Sequence, residues 1–386
     1  MTSTKIYNNP LNFAAAAILL ALLSACSSPV GGLAGAGGVN FRPDAVPTDA
    51  SDSAQPFLPT PIATNVIEPA PTSFPDPEGR LVFISHRNGN NEIYMVNPDG
   101  SGESRLTASS GDENIPVPSP DGRLLAFSSN QSGNWDIYIM DIQTGNYERI
   151  TDHIANDSSP SWSPDGSRIA FESFRNGNWE IYTIGVDGTG LQRLTNNPAG
   201  DSSPAWSPSG NSIAFVSNRM GNSDIFTVDP LGANLSRLTF DIASDSDPVW
   251  SPAGDSLVFR SWRDSTFAEL YLVAANGGSI SRLTENLVDE GIPAWSPDGK
   301  YLAYRSEYKS NWEIFILDIA SQIASRLTTD GDYHGDPVWS PDSRYVAFQA
   351  NMDGNPEIYI LSLDGVVYDR LTFMTPAFDG FPVWIE

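Results

Sequence analysis

The sequence predicts an all-β fold, a seven-bladed β-propeller whose blades are four-stranded antiparallel sheets. Three observations predict it: a repeat of fixed length, four short strand patterns in each repeat, and a first repeat divided between the two ends of the array. The repeat is marked by Pro-x-Trp-Ser-Pro-Asp-Gly, which is complete at 160–166 and 293–299. The proline of its Ser-Pro turn stands at 120, 164, 208, 252, 297 and 341, a spacing of 44 or 45 residues.

Each repeat contains four segments with strand character. The first carries Pro-x-Trp, and because proline cannot donate to a sheet ladder, this segment predicts an edge strand. The second follows the pattern Ile-Ala-Phe, the third Glu-Ile-Tyr, and the fourth ends in Arg-Leu-Thr. The Ser-Pro-Asp-Gly stretch after the first strand has the residues that a type I turn prefers. Short β-prone segments separated by such turns are typical of an all-β fold.

The ends of the array distinguish a closed ring from an open one. The repeats begin at Asp76, directly on a turn that lacks the Pro-x-Trp strand before it, and they finish on Pro382-Val383-Trp384, which is that missing strand. In a ring the C-terminal strand would complete the first blade, and every blade would cover its faces against its neighbours. A linear β-solenoid is the alternative, but it would leave both fragments unpaired.

Residues 1–26 have the pattern of a secretory signal. Lys5 precedes an apolar stretch, 11–23, which is too short to span a bilayer comfortably. The sequence Leu23-Ser24-Ala25-Cys26 resembles the bacterial lipobox, whose cysteine is lipidated and becomes the new N-terminus. Cys26 is the only cysteine in the chain. We therefore expect a lipoprotein, and an ordinary signal peptide with an incidental cysteine is the alternative.

Residues 27–75 consist mainly of Gly, Ala, Ser, Thr and Pro, without periodicity. Such a segment buries too little apolar surface to offset its chain entropy, so we expect a disordered tether between the anchor and the propeller at 76–386. As a random coil it would span roughly 40 Å.

The formal charge of −26 excludes some classes of partner. A nucleic-acid-binding surface needs a Lys/Arg footprint, and anionic lipid surfaces are disfavoured for the same reason. One cysteine excludes a disulfide framework and a thiolate metal site. The three histidines, His86, His153 and His334, share no repeat position, so a histidine-built metal or catalytic centre is not expected.

The repeat as a whole resembles the WD40-like Pro-Asp-Gly (PD40) propellers of the TolB family, which also occur in relatives of prolyl oligopeptidase. The resemblance covers 76–386, and most units carry most of the motif; in one unit Pro118 replaces the tryptophan. It implies a propeller that acts as an interaction module of the cell envelope. The seven units, the tether and the lipobox depart from TolB itself, whose propeller is implied to have six blades behind an α/β domain.

Catalysis is not expected. Prolyl-oligopeptidase relatives carry a serine in a separate hydrolase domain, and no Gly-x-Ser-x-Gly elbow occurs here. Lyases with this type of propeller are implied to rely on histidine-rich metal centres, which three unaligned histidines do not match. No cofactor is expected either.

An acidic residue recurs three positions before the proline of the first strand, and we assign it to the loop that leads into that strand. The set is Glu113, Asp157, Asp201, Asp245, Glu290 and Asp379. The loops between the second and third strands carry cations: Arg87, Arg175, Arg219, Arg263 and Lys309. A carboxylate ring around a channel mouth could bind a cation or a basic peptide. The alternative, favoured because the residues recur, is that these carboxylates pair with the loop cations or cap backbone N–H groups.

A second ion pair is predicted within each blade, between the acid of Glu-Ile-Tyr and the arginine of Arg-Leu-Thr. We expect it to be exposed and therefore worth only about 0.2–1 kcal/mol. The tryptophans of the first strand are expected to be core packing.

Departures from the repeat suggest where a partner binds. The second-to-third-strand loop of the fifth unit, 261–267, is one residue longer than the others and carries two aromatic side chains. Aromatic, Met and Arg side chains around a rim are typical of interface hot spots. The predicted partner-binding residues are Trp262, Arg263, Phe267, Tyr308, Phe174, Met220 and Met352, together with Asp157, Asp201 and Asp245.

These observations favour an extracytoplasmic scaffold, anchored to a membrane through lipid alone, that binds an envelope protein or peptide on its channel face. We expect a monomer that faces the periplasm or the cell surface. A glycan- or cation-binding sensor is the alternative, and a hydrolase or lyase is less favoured.

Overall fold

The computed structural model describes residues 77–329, 331–352, 354–363, 368–373 and 377–385. The expected signal segment with Cys26 and the expected tether lie outside the described residues. Within the described part, no helix has the length and apolar character needed to cross a membrane.

The described residues form seven four-stranded antiparallel sheets, which we number as blades in chain order. The first blade takes its inner strand from the end of the chain. Its strands are β1 (Arg80–Ser85), β2 (Glu92–Val96), β3 (Ser104–Arg105) and β28 (Asp379–Ile385).

The other blades each use four consecutive strands, in the order inner, second, third and outer. Blade 2 is β4 (Glu113–Pro118), β5 (Leu124–Ser129), β6 (Asp136–Asp141) and β7 (Tyr147–Arg149). Blade 3 is β8 (Asp157–Trp162), β9 (Arg168–Ser173), β10 (Glu180–Gly185) and β11 (Gln192–Arg193). Blade 4 is β12 (Asp201–Trp206), β13 (Ile213–Ser217), β14 (Asp224–Val228) and β15 (Ser236–Arg237).

Blades 5 to 7 follow the same order. Blade 5 is β16 (Asp245–Trp250), β17 (Ser256–Ser261), β18 (Glu269–Ala274) and β19 (Ile280–Arg282). Blade 6 is β20 (Ala294–Trp295), β21 (Tyr301–Tyr308), β22 (Asn311–Asp318) and β23 (Ile323–Arg326). Blade 7 is β24 (His334–Trp339), β25 (Tyr345–Ala350), β26 (Glu357–Ser362) and β27 (Tyr368–Arg370).

The predicted seven-bladed propeller and its closure by the C-terminal strand are confirmed. β28 pairs with β1, so the first sheet has the order β28-β1-β2-β3. Seven clusters of buried apolar side chains each join two neighbouring blades, and one of them joins blade 7 to blade 1. An open array of seven units would have only six such interfaces, so the ring is closed.

The inner strands lie side by side around the axis of the ring. Their Ser-Pro turns meet at one end of it, where residues of blades 1, 2, 6 and 7 line a cavity of about 320 Å³. In each turn the backbone N–H of the fourth residue donates to the serine carbonyl, as from Gly166 to Ser163 at 2.9 Å. The turn predicted from Ser-Pro-Asp-Gly is therefore confirmed.

The inner strand is longer than Pro-x-Trp predicts. It begins three residues before the proline and contains a β-bulge just before that residue, as in β8. The bulge places a non-glycine residue at positive φ, with values of 52–55° in six blades: Ile115, Ser159, Ser203, Asp247, Asp336 and Phe381. In the sixth blade the inner strand is reduced to Ala294–Trp295 and Ile292 is not in this conformation.

Tryptophans of the inner strand join neighbouring blades. The indole N–H of Trp162 donates to the carbonyl of Val117 in the preceding blade at 2.9 Å, and Trp250 and Trp339 make the same bond. Four of them are buried: Trp162, Trp250, Trp339 and Trp384. The prediction of core packing is confirmed for these four.

Candidate partner-binding face

One end of the ring carries two sets of loops, and we call it the loop face. The first set joins second to third strands, and the second set leads from an outer strand to the next inner strand. A single side chain shows that they adjoin: Asn178, in a loop of the first set, donates to the carbonyls of Asn197 and Ala199 in a loop of the second at 2.8 and 2.9 Å.

The recurring acids of the inner strands do not form an exposed ring. Five of them are the first residues of these strands, and Glu290 forms an isolated bridge with Ser306 ahead of β20; all six side chains are buried. Where the acid is an aspartate, it pairs with the loop arginine of the same blade. The pairs are Asp379–Arg87 at 2.7 Å, Asp157–Arg175 at 2.9 Å, Asp201–Arg219 at 2.8 Å and Asp245–Arg263 at 2.9 Å. The alternative of pairing with the loop cations, which the sequence left open, is the arrangement found.

Each loop arginine also lies over aromatic rings of its own blade. The guanidinium of Arg175 is 4.6 Å from the ring centre of Tyr182 and 5.7 Å from that of Phe171. Burial raises the pKa of Asp157 and of Asp201, and the hydrogen bonds from Ser173 and Ser217 and the neighbouring arginines oppose that rise. A carboxylate enclosed in this way supports the loop above it and offers no oxygen to a ligand at the surface.

Three blades replace the aspartate–arginine pair. Glu113 faces Gln131 at the arginine position, Glu290 shares its blade with Tyr308 there, and His334 shares its blade with Met352. Without an arginine, burial raises the pKa of Glu113 to about 7 and that of Glu290 to about 8. Within the described residues, no group of three or more His, Cys, Asp or Glu side chains is arranged to hold a metal ion.

The second predicted ion pair is present but is not exposed as expected. In six blades the arginine of the outer strand contacts a third-strand carboxylate that is fully buried, as in Arg193–Glu180 at 2.8 Å. The sixth blade differs, because its Glu313 lies 3.4 Å from His334 and its Arg326 lies over the ring of Tyr308 at 4.3 Å.

The predicted partner-binding residues divide by exposure. Phe174, Met220 and Tyr308 are exposed, and Trp262, Arg263, Phe267 and Met352 are half-buried. Asp157, Asp201 and Asp245 are fully buried beneath the same loops. The sequence placed Tyr308 in the loop between the second and third strands, and this was wrong. Tyr308 ends strand β21, next to the two-residue turn Lys309–Ser310.

Sequence reasoning missed the most exposed apolar side chains of the loop face. Each is at the tip of a loop that leads into an inner strand, three residues after the threonine of Arg-Leu-Thr or its variant. Ile154 is 91% exposed, Ile242 95% and Leu287 80%, and Pro198 occupies the same tip position between them in the chain. We call these four residues the apolar tips; they come from four consecutive connections around the ring.

The tips are held in place by two kinds of hydrogen bond. An asparagine of the adjacent loop donates to the carbonyls on both sides of the tip: Asn134 around Ile154, Asn178 around Pro198 and Asn222 around Ile242. In addition, the side chain before each tip accepts from the backbone N–H after it, as His153 Nδ1 does from Ala155 at 3.0 Å. The exposed side chains are thus presented on ordered backbone.

A sequence signal for the tips does exist. Ile154, Pro198, Ile242 and Leu287 occupy one repeat position, while the residues within two positions of them are polar or small, except Phe240 and Val288. Packing does not explain an apolar residue that is exposed at the same position of several mainly polar loops. Only the repeat alignment extended into the loops would have shown this.

The comparisons with known proteins agree with this architecture. The family model of the TolB beta propeller domain, PD40, matches residues 62–152, 110–202, 196–290 and 285–380. No functionally curated protein sequence matches the chain significantly.

Among solved structures, the chain resembles TolB from Acinetobacter baumannii, with 24% identity, 69% of this chain and 67% of that one covered, and a TM-score of 0.56. It also resembles an oligogalacturonate lyase from Vibrio parahaemolyticus, with 17% identity, 73% and 86% covered, and a TM-score of 0.59. A puromycin-hydrolysing peptidase from Mycobacterium tuberculosis matches with 16% identity, 75% and 50% covered, and a TM-score of 0.61. At these identities the structures establish the fold alone. Because the family model covers most of the chain, the protein belongs to the TolB beta propeller (PD40) family.

Proposed function

We propose that this protein is a cell-envelope scaffold that binds a protein or peptide partner on its loop face. The observation that carries the proposal is the set of apolar tips, which are exposed on ordered loops beside Phe174 and Met220. A single exposed isoleucine is ordinary on a protein surface, but an exposed apolar residue at the same position of four consecutive connections favours an interaction site.

The tips fit such a role energetically. Burial of one isoleucine or leucine side chain contributes about 1.5–3 kcal/mol, so three of them could dominate a modest interface. Association also costs free energy when loops must become ordered. The hydrogen bonds that Asn134, Asn178 and Asn222 donate to the loop carbonyls lower this cost, because these loops are already fixed.

A non-catalytic role is part of the proposal. The propeller resembles both TolB and enzymes, so the fold leaves the question of activity open. The chain has no Gly-x-Ser-x-Gly sequence, and four of its six recurring carboxylates pair with arginines of the same blade. We further propose that Cys26 is lipidated and that 27–75 serves as a tether to the membrane. Lipidation of Cys26 is tested with labelled palmitate, which should be incorporated into the wild type but not into Cys26→Ser.

The binding role is tested with two double variants of the full chain. Ile154→Ser with Ile242→Ser removes two apolar tips, and Leu231→Ser with Leu235→Ser removes two exposed leucines at the opposite end of the third strand. We expect envelope proteins that cross-link to the wild type to be lost with the first variant and kept with the second. If both variants retain the same set, the loop face is not the binding surface.

The residues predicted from sequence are tested separately. Trp262→Ala with Tyr308→Ala alters the rim of blades 5 and 6 without touching the apolar tips. Loss of the same cross-linked partners would place the contact across both regions. Unchanged capture would confine it to the tips.

A further inference from the structure

One position of the second strand varies in chemistry while its neighbours repeat. It lies between the buried aromatic residue and a residue that is serine in six blades. In blade order the residues are Ile84, Ser128, Glu172, Val216, Arg260, Arg305 and Gln349. The polar members with long side chains in blades 5 to 7 are therefore consecutive around the ring.

The inner-strand residue opposite this position also differs between blades. Opposite this position blades 2 to 5 have Asn114, Ser158, Ser202 and Ser246, but blades 6, 7 and 1 have Gly291, Gly335 and Gly380. A Cβ atom at Gly291 would lie 2.1 Å from Cγ of Arg305, and one at Gly380 would lie 2.2 Å from Oε1 of Gln349. None of the three glycines has positive φ, so they provide space and not an unusual backbone conformation.

The space at Gly291 holds the side chain of Arg305, and Arg260 occupies the equivalent position of blade 5, opposite Ser246. Arg305 donates to the hydroxyl of Tyr333 at 2.9 Å and lies over the ring of Trp312 at 4.9 Å, while Asp336 is 3.9 Å away. Arg260 pairs with Asp247 at 3.1 Å and lies over the ring of Trp262 at 5.2 Å. Arg260 and Arg305 keep 19% and 20% of their side chains exposed, against 8–11% for the loop arginines.

These groups are incompletely satisfied within the protein. The Nε atoms of Arg260 and Arg305 and Oε1 of Gln349 are buried and find no hydrogen-bond partner in the described part of the chain. Gln349 is only 2% exposed, and its unpartnered oxygen points to the space cleared by Gly380. An unsatisfied buried polar atom is destabilising, and among the several in the described residues these three share one strand position in consecutive blades.

Neighbouring acids do not fully cancel the positive charge. Burial raises the pKa of Glu290, the residue beside Gly291, to about 8, and Glu290 interacts with Arg260. Burial also raises the pKa of Asp336, against the lowering effect of Arg305. At neutral pH Glu290 is mostly protonated, which leaves the two guanidinium groups able to attract an anion.

We propose that Arg260, Arg305 and Gln349 form a binding site for the C-terminal end of a peptide, beside the inner strand of blade 6. The carboxylate would bind the exposed edges of the two guanidinium groups, since such charge-assisted hydrogen bonds are the strong ones. After a side-chain rotation, Gln349 would accept the N–H of the terminal peptide bond, and the rings of Trp262 and Trp312 would flank the last side chain. The proposal rests on the proposed peptide-binding function and specifies its ligand chemistry.

The probes are pooled N-acetylated tetrapeptides randomised at the last two positions, with a free C-terminal carboxylate or with a C-terminal amide. The third probe is a pool of N-acetyl amino acids, which present the same carboxylate and N–H without a chain. Binding to the full-length wild type is measured by equilibrium dialysis. We expect the free-acid tetrapeptides to be enriched and the other two pools not to be.

Three variants locate the site. Arg305→Met and Gln349→Leu should each weaken binding of an enriched peptide at least about tenfold. The first removes a hydrogen bond from a charged group to the carboxylate, and the second leaves the N–H of the peptide without an acceptor. Arg168→Met, which removes an arginine of equal charge from β9, should leave binding unchanged. Gln349→Leu also has a second readout: because it removes an unsatisfied oxygen, the thermal midpoint should stay equal or rise while binding is lost.

Each other result overturns the proposal in a distinguishable way. Equal binding of the amide pool would show that a peptide binds without its carboxylate, and the proposed function would survive. Equal binding of the N-acetyl amino acids would show a small-acid site and no peptide recognition. Binding by none of the pools, or binding that the variants do not affect, would reject the site, while the apolar-tip variants test the proposed function independently.

Discussion

At the scale of single residues, the recurring acid of the inner strand varies together with the residue at the loop-arginine position of the same blade. Aspartate occurs with arginine in four blades, glutamate with Gln131 or Tyr308, and His334 with Met352. The shorter aspartate reaches the guanidinium, whereas Glu113 and Glu290 bond to hydroxyl and amide groups. The aspartates are thus balanced by arginines, and Glu113 and Glu290 have neutral partners and raised pKa values, which explains how so many buried acids are tolerated.

The elevated pKa of Glu290 predicts a pH dependence of stability. Folded Glu290 holds its proton up to about pH 8, whereas in the unfolded chain it loses the proton near its ordinary value of 4.5. The folded state therefore binds more protons in this window, and the free energy of unfolding falls as pH rises, by at most about 1.4 kcal/mol per pH unit. We expect Glu290→Gln to flatten the decrease of the thermal midpoint between pH 6 and pH 8.

Glu180→Gln is the contrasting control. Burial alone would raise the pKa of Glu180, but the hydrogen bonds from Thr195, Asn178, Asn197 N–H and Arg193 lower it overall. Its contribution to stability is present above its ordinary pKa and is lost only as pH falls. Glu180→Gln should therefore lower the free energy of unfolding by about 2 kcal/mol at both pH values and leave the slope unchanged. An unchanged slope in Glu290→Gln would mean that its carboxyl is ionised in the folded state.

At the scale of elements, the strand that closes the ring makes a close contact with one glycine. Gly79 has a φ of +90°, and a Cβ atom there would lie 2.5 Å from the carbonyl oxygen of Ile385 in β28. Gly89 of the same blade has a φ of +97° and nothing within 4 Å of such an atom. Both glycines have a φ that would be strained for any other residue. Only Gly79 contacts the closing strand.

This pair isolates the contribution of closure. Gly89→Ala should cost about 1–2 kcal/mol, the penalty for a left-handed alanine. Gly79→Ala should cost clearly more, because the backbone of β28 must also shift. Denaturant unfolding of both variants measures the difference. Equal costs would indicate that β28 is loosely held and that closure contributes little.

Elements also show what the sequence could and could not predict. Ring, blade number and closing strand follow from the repeat and its divided first unit. The place of the acids did not follow, because Pro-x-Trp gives no sign that the strand begins before its bulge. The glycines at 291, 335 and 380 were not recognised either, since their meaning depends on which side chain of the paired strand needs the space.

At the scale of the whole molecule, stability is divided among seven blade interfaces and is not held in one core. One interface lacks the indole of the inner strand, because Pro118 stands where the other blades have tryptophan. Pro118 lines the 320 Å³ cavity together with Trp384 and Ile385 of blade 1. The junction between the first two blades therefore borders this cavity.

Pro118→Trp is expected to stabilise the protein by about 1–3 kcal/mol, because an indole would cover this junction and could donate to the carbonyl of Val383. The reciprocal change, Trp162→Pro, should destabilise it by about 3–5 kcal/mol through loss of a buried indole. Thermal and denaturant unfolding of the two variants test this. A neutral or destabilising Pro118→Trp would show that the junction is filled in another way.

The pairing of β28 with β1 also bears on how the chain is made. Arg80 is paired with Ile385, 305 positions later, whereas the other strand pairs join residues close in sequence. A ribosome delivers β28 after all other described strands, so one edge of β1 stays bare while the strands between them are made. During that interval the edge can recruit foreign strands. Chains interrupted before β28 would keep this edge exposed, so the pairing of β28 protects β1 from such recruitment.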